Sequence, residues 1–339
     1  MKGKVLLLLL FLAPCMATAQ GFAGLGQESE GFALPEAGRA FDFPADHGPH
    51  DDYRIEWWYL TAVLDGEDGR TYGLQWTLFR SALTPAGPQV WMGHFGLTTP
   101  DAHFSGERFA RGSVGQAGVV AAPFEAWIDD WELSGATFDA LTLRAATDEA
   151  GYALDLTAEG PIVLHGDAGY SVKSATGQAS YYYSQPFFSA SGTLTLPEGE
   201  VAVTGRAWLD REWSSQPLEG DQEGWDWFSL HLDDGHRLMA FSLRGGAGFH
   251  YASWIAPDGT TTPYYGETLE LEPLRNAEVA GREVPVEWRL RLPAEGVDRG
   301  VEAVNDESWQ GTLFPYWEGP VTATGSHVAK GYLEMTGYE

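Results

Sequence analysis

The run from Trp208 to Trp213, Trp-Leu-Asp-Arg-Glu-Trp, sets two carboxyl groups beside tryptophans in a stretch patterned as a strand. Because side chains alternate across a strand, Asp210 and Glu212 share one face with Trp208, and Arg211 lies on the other. Two carboxyl groups on one face repel each other when both are ionised, which raises the pKa of one of them. The pattern therefore predicts a carboxyl that stays protonated, with Asp210 as candidate proton donor and Glu212 as its partner.

Such an acid could transfer a proton to a bound molecule. This role needs a carboxyl that a dry, apolar cavity keeps protonated. Indole faces stabilise positive charge, and Trp225 and Trp227 follow the acidic run. The remaining candidates for ligand contact are aromatic as well: Trp58, Tyr182 and Trp208.

Two other interpretations stay open for the same residues. Buried charges persist only when they are paired, so Arg211 could tie its strand to a neighbouring hairpin in a structural ion-pair network. In the first half of the chain, Glu56 is expected to pair with Arg80 on the returning strand. Alternatively, the acidic and aromatic side chains could form a ligand site without catalysis.

Signals for other chemistry are weak. His47 and His50 are metal-ligand types, but the Gly-Pro between them fixes no geometry. Ser171 and Lys173 lie close together, which is poor evidence for a nucleophile and its base. No phosphate-binding loop, dinucleotide fingerprint or nucleophile elbow is found. The sequence predicts no metal and no cofactor.

Short strands must position these residues. The chain has 42 Gly, 14 Trp, 14 Tyr and 17 Phe, which favours strands joined by turns over helices. YRIEWWYLTAVLD alternates, turns at GEDG and returns as RTYGLQWTLFR, so it reads as a hairpin. Helical periodicity is scarce. The prediction is an all-β, mostly antiparallel protein.

A repeat indicates how many domains there are. Trp58 to Gly66 aligns with Trp227 to Gly235, and the returning strands end at Arg80 and Arg244. Two such hairpins half a chain apart predict a duplicated unit of about 150 residues, the size of one small barrel around one ligand.

Several tryptophan-rich strings resemble one family over essentially the whole mature chain. The AttH-like proteins, grouped with carotenoid 1,2-hydratase (hydroxyneurosporene synthase), are similar to this sequence in these strings: FPADHGPHDDYRIEWWYLTAVL, LHGDAGYSVKSATGQASYYYSQP, LDREWSSQPLEG with GWDWFSLHLDDG, and the closing YWEGPV and GYLEMTGY. The resemblance implies two lipocalin-like antiparallel β-barrels packed together. We expect the first in residues 36–195 and the second in residues 196–339.

The resemblance also implies two functions. Some relatives add water to isolated double bonds of isoprenoids, and the aspartate of their comparable block matches Asp210, with Trp225 and Trp227 after it. This chain departs from the hydratase pattern immediately after that aspartate. Many exported bacterial members look like accessory proteins of ABC-type permeases. The first expectation is therefore an exported protein that binds a hydrophobic small molecule such as a lipid or isoprenoid and is accessory to an ABC-type permease. The alternative is a cofactor-free hydratase.

The N-terminus is typical of an exported protein. Residues 1–19 contain two lysines, an apolar run and Ala-Thr-Ala, the pattern of a secretory signal peptide. A lipoprotein anchored at Cys15 is less favoured because Pro14 precedes the cysteine. Residues 20–35 read as a flexible Gly-rich leader. A periplasmic location is predicted.

The charge of the chain excludes one class of partner. Removing Lys2 and Lys4 with the signal peptide changes the formal net charge from −28 to −30. Such a surface repels nucleic acid. The oligomeric state is left open.

Overall fold

Nearly all regular structure in this protein is β. The computed structural model describes Leu25 and residues 29–338, so the predicted signal peptide, residues 1–19, lies outside the described residues. Within them no helix has the length and apolar character needed to cross a membrane. Short 3₁₀ turns occupy Ala45–His47, Gly266–Thr268 and Pro293–Glu295.

The described strands are, in chain order, β1 (Ile55–Gly66), β2 (Thr71–Ala82), β3 (Gln89–Thr98), β4 (His103–Arg111), β5 (Ala117–Val120), β6 (Phe124–Ile128), β7 (Trp131–Thr137), β8 (Ala140–Ala146), β9 (Gly151–Ala158), β10 (Val163–Leu164), β11 (Tyr170–Val172), β12 (Ala179–Leu196), β13 (Gly199–Ser214), β14 (Gln222–Leu232), β15 (Arg237–Gly245), β16 (Phe249–Ile255), β17 (Thr261–Tyr265), β18 (Glu270–Val279), β19 (Arg282–Leu292), β20 (Val297–Ala303), β21 (Trp309–Gln310), β22 (Tyr316–Gly325) and β23 (Ala329–Met335).

These strands form two curled or nearly closed antiparallel sheets. The first has the order β4-β3-β2-β1-β13-β12-β9-β8-β7-β6-β5, with β10 and β11 paired to β12. The second has the order β17-β16-β15-β14-β23-β22-β20-β19-β18, with β21 paired to β22. The predicted all-β fold of two packed barrel-like halves is confirmed.

The two sheets share one topology. Each begins with four consecutive strands, and the last strand of the unit then pairs beside the first: β13 beside β1, and β23 beside β14. The side-chain alignment proposed above does not hold, however. Trp58 packs in the first core, whereas Trp227 packs between the sheets and Phe228 takes the core position. A shift of one residue exchanges the two faces of a strand, so an alignment by residue type can miss the register.

The sheet boundary does not match the predicted division at residues 195 and 196. Strand β13 pairs with β12 and with β1, so Gly199–Ser214 belongs to the first sheet. The chain enters the second sheet between Ser214 and Gln222. The reason is the closing strand: the first unit needs β13 to pair with its own β1. The acidic run, Trp208 to Trp213, therefore belongs to the first sheet.

A third apolar cluster packs between the sheets. It contains Tyr59, Trp208, Trp227, Phe241 and Tyr332, which come from strands of both units. Strand β1 thus buries one face in its own core and the other against the second sheet. This packing explains why the sequence of β1 is aromatic on both faces. We call the region between the two sheets the seam, and a cavity lies there.

Candidate functional site

A cavity of about 410 Å³ lies between the two sheets. This volume is within the range of pockets that hold small organic ligands. The second sheet contributes Trp225, Trp227 and Phe241, and Leu25, in the segment predicted to be a flexible leader, also lines the wall. Exposed apolar side chains line the cavity as well and give it an apolar rim: Leu83, Phe109 and Leu313.

Two rows of side chains cross the first sheet on the cavity side. Both follow the cross-strand register through β13, β1, β2, β3 and β4, a distance of about 19 Å at the usual strand spacing. The first row starts with Glu212 and is otherwise apolar: Glu212, Trp57, Phe79, Met92 and Phe109. The second row is polar: Asp210, Tyr59, Thr77, His94 and Glu107. All of these except Glu107 line the cavity.

Asp210 is a buried acid in the wall of this cavity. Its side chain accepts hydrogen bonds from the Tyr182 hydroxyl at 2.8 Å, from Trp208 Nε1 at 2.5 Å and from the Ser184 hydroxyl. Among the described residues it forms no ion pair. Burial, with the nearby Glu212 charge, raises the pKa of Asp210 to about 7 although the donors lower it. Near neutral pH a large part of Asp210 is therefore protonated.

Glu212 has a different setting on the same face. Lys173 Nζ lies 3.0 Å from its Oε1, and the Ser180 hydroxyl donates to the same oxygen at 2.5 Å. The Lys173 ammonium also lies 4.7 Å from the ring centre of Tyr182 and 4.5 Å from that of Phe241. Glu212 thus lines the cavity as one member of an ion pair.

Arg211 points to the opposite face, as strand alternation predicts. There Glu56 Oε1 forms an ion pair with Arg80, while its Oε2 lies 3.3 Å from the Arg211 guanidinium and 3.0 Å from His50 Nδ1. Burial alone would raise the pKa of Glu56, but His50 and the two arginines hold it at about 2. These residues form a buried structural network inside the first sheet.

Trp58 belongs to this network and does not line the cavity. Its ring lies 3.8 Å below the Arg211 guanidinium, and its Nε1 donates to the His47 carbonyl oxygen at 2.9 Å. The neighbouring His50 contacts Asp46 and Glu56 rather than His47. In the described part of the chain no group of three or more metal-ligating side chains could hold an ion.

The other predicted aromatic residues come together around Asp210. Tyr182, Trp225 and Trp227 line the cavity, and Trp227 Nε1 donates to the Tyr182 hydroxyl at 3.2 Å. Trp208 is fully buried one layer behind and holds Asp210 through its indole N–H. The structure therefore places three of the five predicted ligand residues on the cavity and one directly beneath it.

Two further acids were not predicted from the sequence. Glu318 and Glu334 face each other across β22 and β23, and Glu334 lines the cavity. The Tyr59 hydroxyl donates to Glu318, and Trp225 Nε1 donates to Glu334 at 2.5 Å. Burial raises the pKa of Glu334 to about 7 and that of Glu318 well above its usual range. The sequence signal that could have identified these acids is a single glutamate in each of two largely apolar strands, β22 and β23.

Comparisons with known proteins agree with this architecture. The crystal structure of a putative AttH from Nitrosomonas europaea is 32% identical, with a TM-score of 0.83 over 91% of this chain and 99% of that one. Kievitone hydratase from Nectria haematococca is 16% identical, with a TM-score of 0.68 over 90% of this chain and 95% of that one, and shares the fold. None of the curated proteins matches this sequence.

The predicted family resemblance is confirmed. The model of the AttH-like family matches residues 34–338, which is most of the chain and includes both sheets and the cavity between them. The fold is lipocalin-like. The chain belongs to the AttH-like family.

Proposed function

We propose that this protein is a cofactor-free hydratase that adds water to a carbon–carbon double bond of a hydrophobic, isoprenoid-like ligand. The observation that carries the proposal is Asp210, a buried acid in an apolar cavity with a pKa of about 7 and no ion pair among the described residues. Kievitone hydratase, which has the same fold, is a hydratase by name. A carboxyl kept partly protonated at neutral pH is the group that this chemistry needs.

In the proposed reaction, Asp210 transfers its proton to one alkene carbon and the other carbon becomes cationic. The indole faces of Trp225 and Trp227 stabilise that positive charge. The hydroxyl of Tyr182 and the indole N–H of Trp208 already point at Asp210, so they stabilise the carboxylate that remains. Water then adds to the cation to give an alcohol.

The test uses the isosteric variant Asp210→Asn. Purified protein is incubated with geranylgeraniol in detergent micelles in ¹⁸O-labelled water, and the water adduct is measured by mass spectrometry. We expect the variant to lose adduct formation by roughly 100-fold or more while it still binds the probe, because a general acid contributes that much. Adduct formation at the wild-type rate would overturn the proposal.

Asp226→Asn is the matched control. Asp226 is equally buried, but it pairs with Arg244 at 3.2 Å and is outside the cavity lining. The same change there removes a buried carboxylate without touching the proposed acid. We expect this variant to retain hydration for as long as it stays folded, which circular dichroism reports.

A ligand carrier is the second candidate function. Three donors already satisfy the Asp210 oxygens, and the apolar rim at Leu83, Phe109 and Leu313 would admit a long hydrophobic molecule without any reaction. A carrier would co-purify with lipid that is unchanged between wild type and Asp210→Asn. Mass spectrometry of extracted lipids separates the two functions.

We further propose that the protein works outside the cytoplasm, beside an ABC-type permease. Its predicted signal peptide supports export. Protein purified from the cell envelope should begin at Gln20 in its intact mass. A permease partner should co-purify with it from detergent-solubilised membranes, and its absence there would leave a protein that works alone.

A further inference from the structure

A second carboxyl reaches the same cavity from the opposite sheet. Asp210 projects from β13 of the first sheet, and Glu334 projects from β23 of the second. Trp225 Nε1 donates a hydrogen bond of 2.5 Å to Glu334, and the glutamate has no ion pair among the residues that the structure describes. An alkene between the sheets would thus meet one carboxyl on each side.

Glu334 is joined to a chain of buried hydroxyl and carboxyl groups. The Tyr59 hydroxyl donates a hydrogen bond to Glu318 and lies near Glu334. The Tyr316 hydroxyl lies near Glu318, whose Oε2 has no hydrogen-bond partner among the described residues, and Tyr59, Glu318 and Tyr316 are buried between the two sheets. Every member of the chain can both accept and release a proton.

The chain continues from Tyr316 to the surface. The Tyr316 hydroxyl oxygen lies 2.9 Å from His94 Nδ1, and His94 Nε2 lies 3.4 Å from Glu107 Oε1. The second contact is a close approach and not a hydrogen bond, since His94 Nε2 has no hydrogen-bond partner among the described residues. The Glu107 side chain is 21% exposed, so it meets solvent. We call this set the proton path: Tyr59, Glu318, Tyr316, His94 and Glu107.

The O–H and N–H groups of the proton path can all point outward at once. With Glu318 protonated, its O–H can donate to Tyr316, and Tyr316 can donate to His94 Nδ1. Burial lowers the pKa of His94, so the ring is neutral and can accept at one nitrogen while it donates at the other. A proton arriving at Glu334 could therefore leave by successive short transfers.

We propose that Glu334 is the base that takes a proton from the attacking water, and that the proton path delivers this proton to solvent. The inference rests on the proposed hydratase function. Asp210 gives its proton to carbon; water then forms the C–O bond to the cation while one of its O–H bonds breaks, and that proton moves to Glu334. When the product leaves, Asp210 recovers a proton from water in the open cavity.

The proton path is tested without catalysis. The cavity is filled with hexadecanol, which has no double bond, and the pH is raised in a rapid-mixing infrared experiment. The carboxyl band that is absent in Glu334→Gln identifies Glu334. We expect Tyr316→Phe to slow the loss of this band by roughly 100-fold, because a proton relay contributes on that order.

Tyr332→Phe is the matched control for that experiment. Tyr332 is also buried between the two sheets, but its hydroxyl lies near Thr98 and is not part of the proton path. In this variant Glu334 should lose its proton at the wild-type rate. If Glu334 loses its proton equally fast in Tyr316→Phe and in wild type, the proton path is overturned, whether or not the protein is a hydratase.

The role of Glu334 as base is tested by turnover of geranylgeraniol in heavy water. Glu334→Gln should form no adduct, yet the recovered alkene should contain deuterium because Asp210 still protonates it reversibly. Asp210→Asn should lose both signals. Unchanged adduct in Glu334→Gln overturns this inference alone, whereas unchanged adduct in Asp210→Asn overturns the hydratase itself.

Discussion

Asp210 and Glu56 show how partners decide the behaviour of a buried carboxyl. Both are withdrawn from water, and burial alone raises the pKa of each. Around Glu56 two guanidinium groups and a histidine reverse the effect and hold its pKa at about 2. Among the described residues, the groups that donate hydrogen bonds to Asp210 are neutral, so its pKa stays near 7. The first is suited to holding the fold together and the second to transferring a proton.

The raised pKa of Asp210 makes a prediction about stability. Because the folded pKa is about 7 and the ordinary value is 3.8, folding favours the protonated form, and this contribution is lost as the pH rises from 3.8 to 7. Asp210→Asn has no such loss. Relative to wild type, the variant should gain stability between about pH 4 and about pH 8, by at most about 4 kcal/mol. Urea unfolding at both pH values measures this, and a constant difference would contradict it.

Glu56→Gln should destabilise the protein strongly. The change leaves Arg80 and Arg211 buried without their countercharge, which costs about 3–5 kcal/mol. Glu302→Gln is the control, since Glu302 is 62% exposed and meets Arg275 only at 3.7 Å. That change should cost less than about 1 kcal/mol in the free energy of unfolding. Similar losses for both variants would argue against the buried network.

At the scale of elements, strand β13 serves two surfaces. Its even-numbered side chains, among them Asp210, face the seam, and its odd-numbered ones, such as Leu209, fill the first core. Its two neighbours, β1 and β12, come from opposite ends of the unit. The strand thus closes the first sheet and presents the acid at the same time.

Leu209→Ala should therefore weaken the first sheet without removing a cavity side chain. Leu209 is fully buried, so its loss leaves a void and should cost about 2–5 kcal/mol of unfolding free energy. Leu313→Ala removes the same atoms from a residue that is 62% exposed and should change stability by less than about 0.5 kcal/mol. Denaturant titration compares them, and equal effects would place β13 outside the core.

At the scale of the whole molecule, the two sheets enclose the cavity where they meet. A ligand there contacts both sheets, since Trp57 and Phe79 come from one and Trp225 and Phe241 from the other. Binding should then stabilise both halves together. The seam makes the pair of barrels one functional unit.

Calorimetry should detect this coupling. At a ligand concentration of about 100 times Kd, one cooperative unfolding transition should gain about 2.7 kcal/mol. Ser81→Trp, which fills the cavity from β2, should reduce that gain. Hexadecanol is a suitable probe. Two transitions, of which only one shifts, would show that the ligand contacts a single sheet.

The amino-acid sequence by itself determined the features that depend on neighbours along the chain. Alternation and Gly-rich turns determined the all-β class, and the same period put Asp210 and Glu212 on one face and Arg211 on the other. The expected pairing of Glu56 with Arg80 follows from one short hairpin, and the structure contains that contact. The tryptophan-rich strings indicated the family.

Only the tertiary structure decided where those faces point. Pairing of β13 with β1 put the acid in the first sheet, and the packing of two sheets made a cavity in the seam and brought Glu334 to it. Tertiary packing also paired Lys173 with Glu212, whereas Asp210 has no cationic partner among the described residues. The physical reason is that alternation is local, whereas burial, cross-strand neighbours and pKa depend on segments far away in the chain.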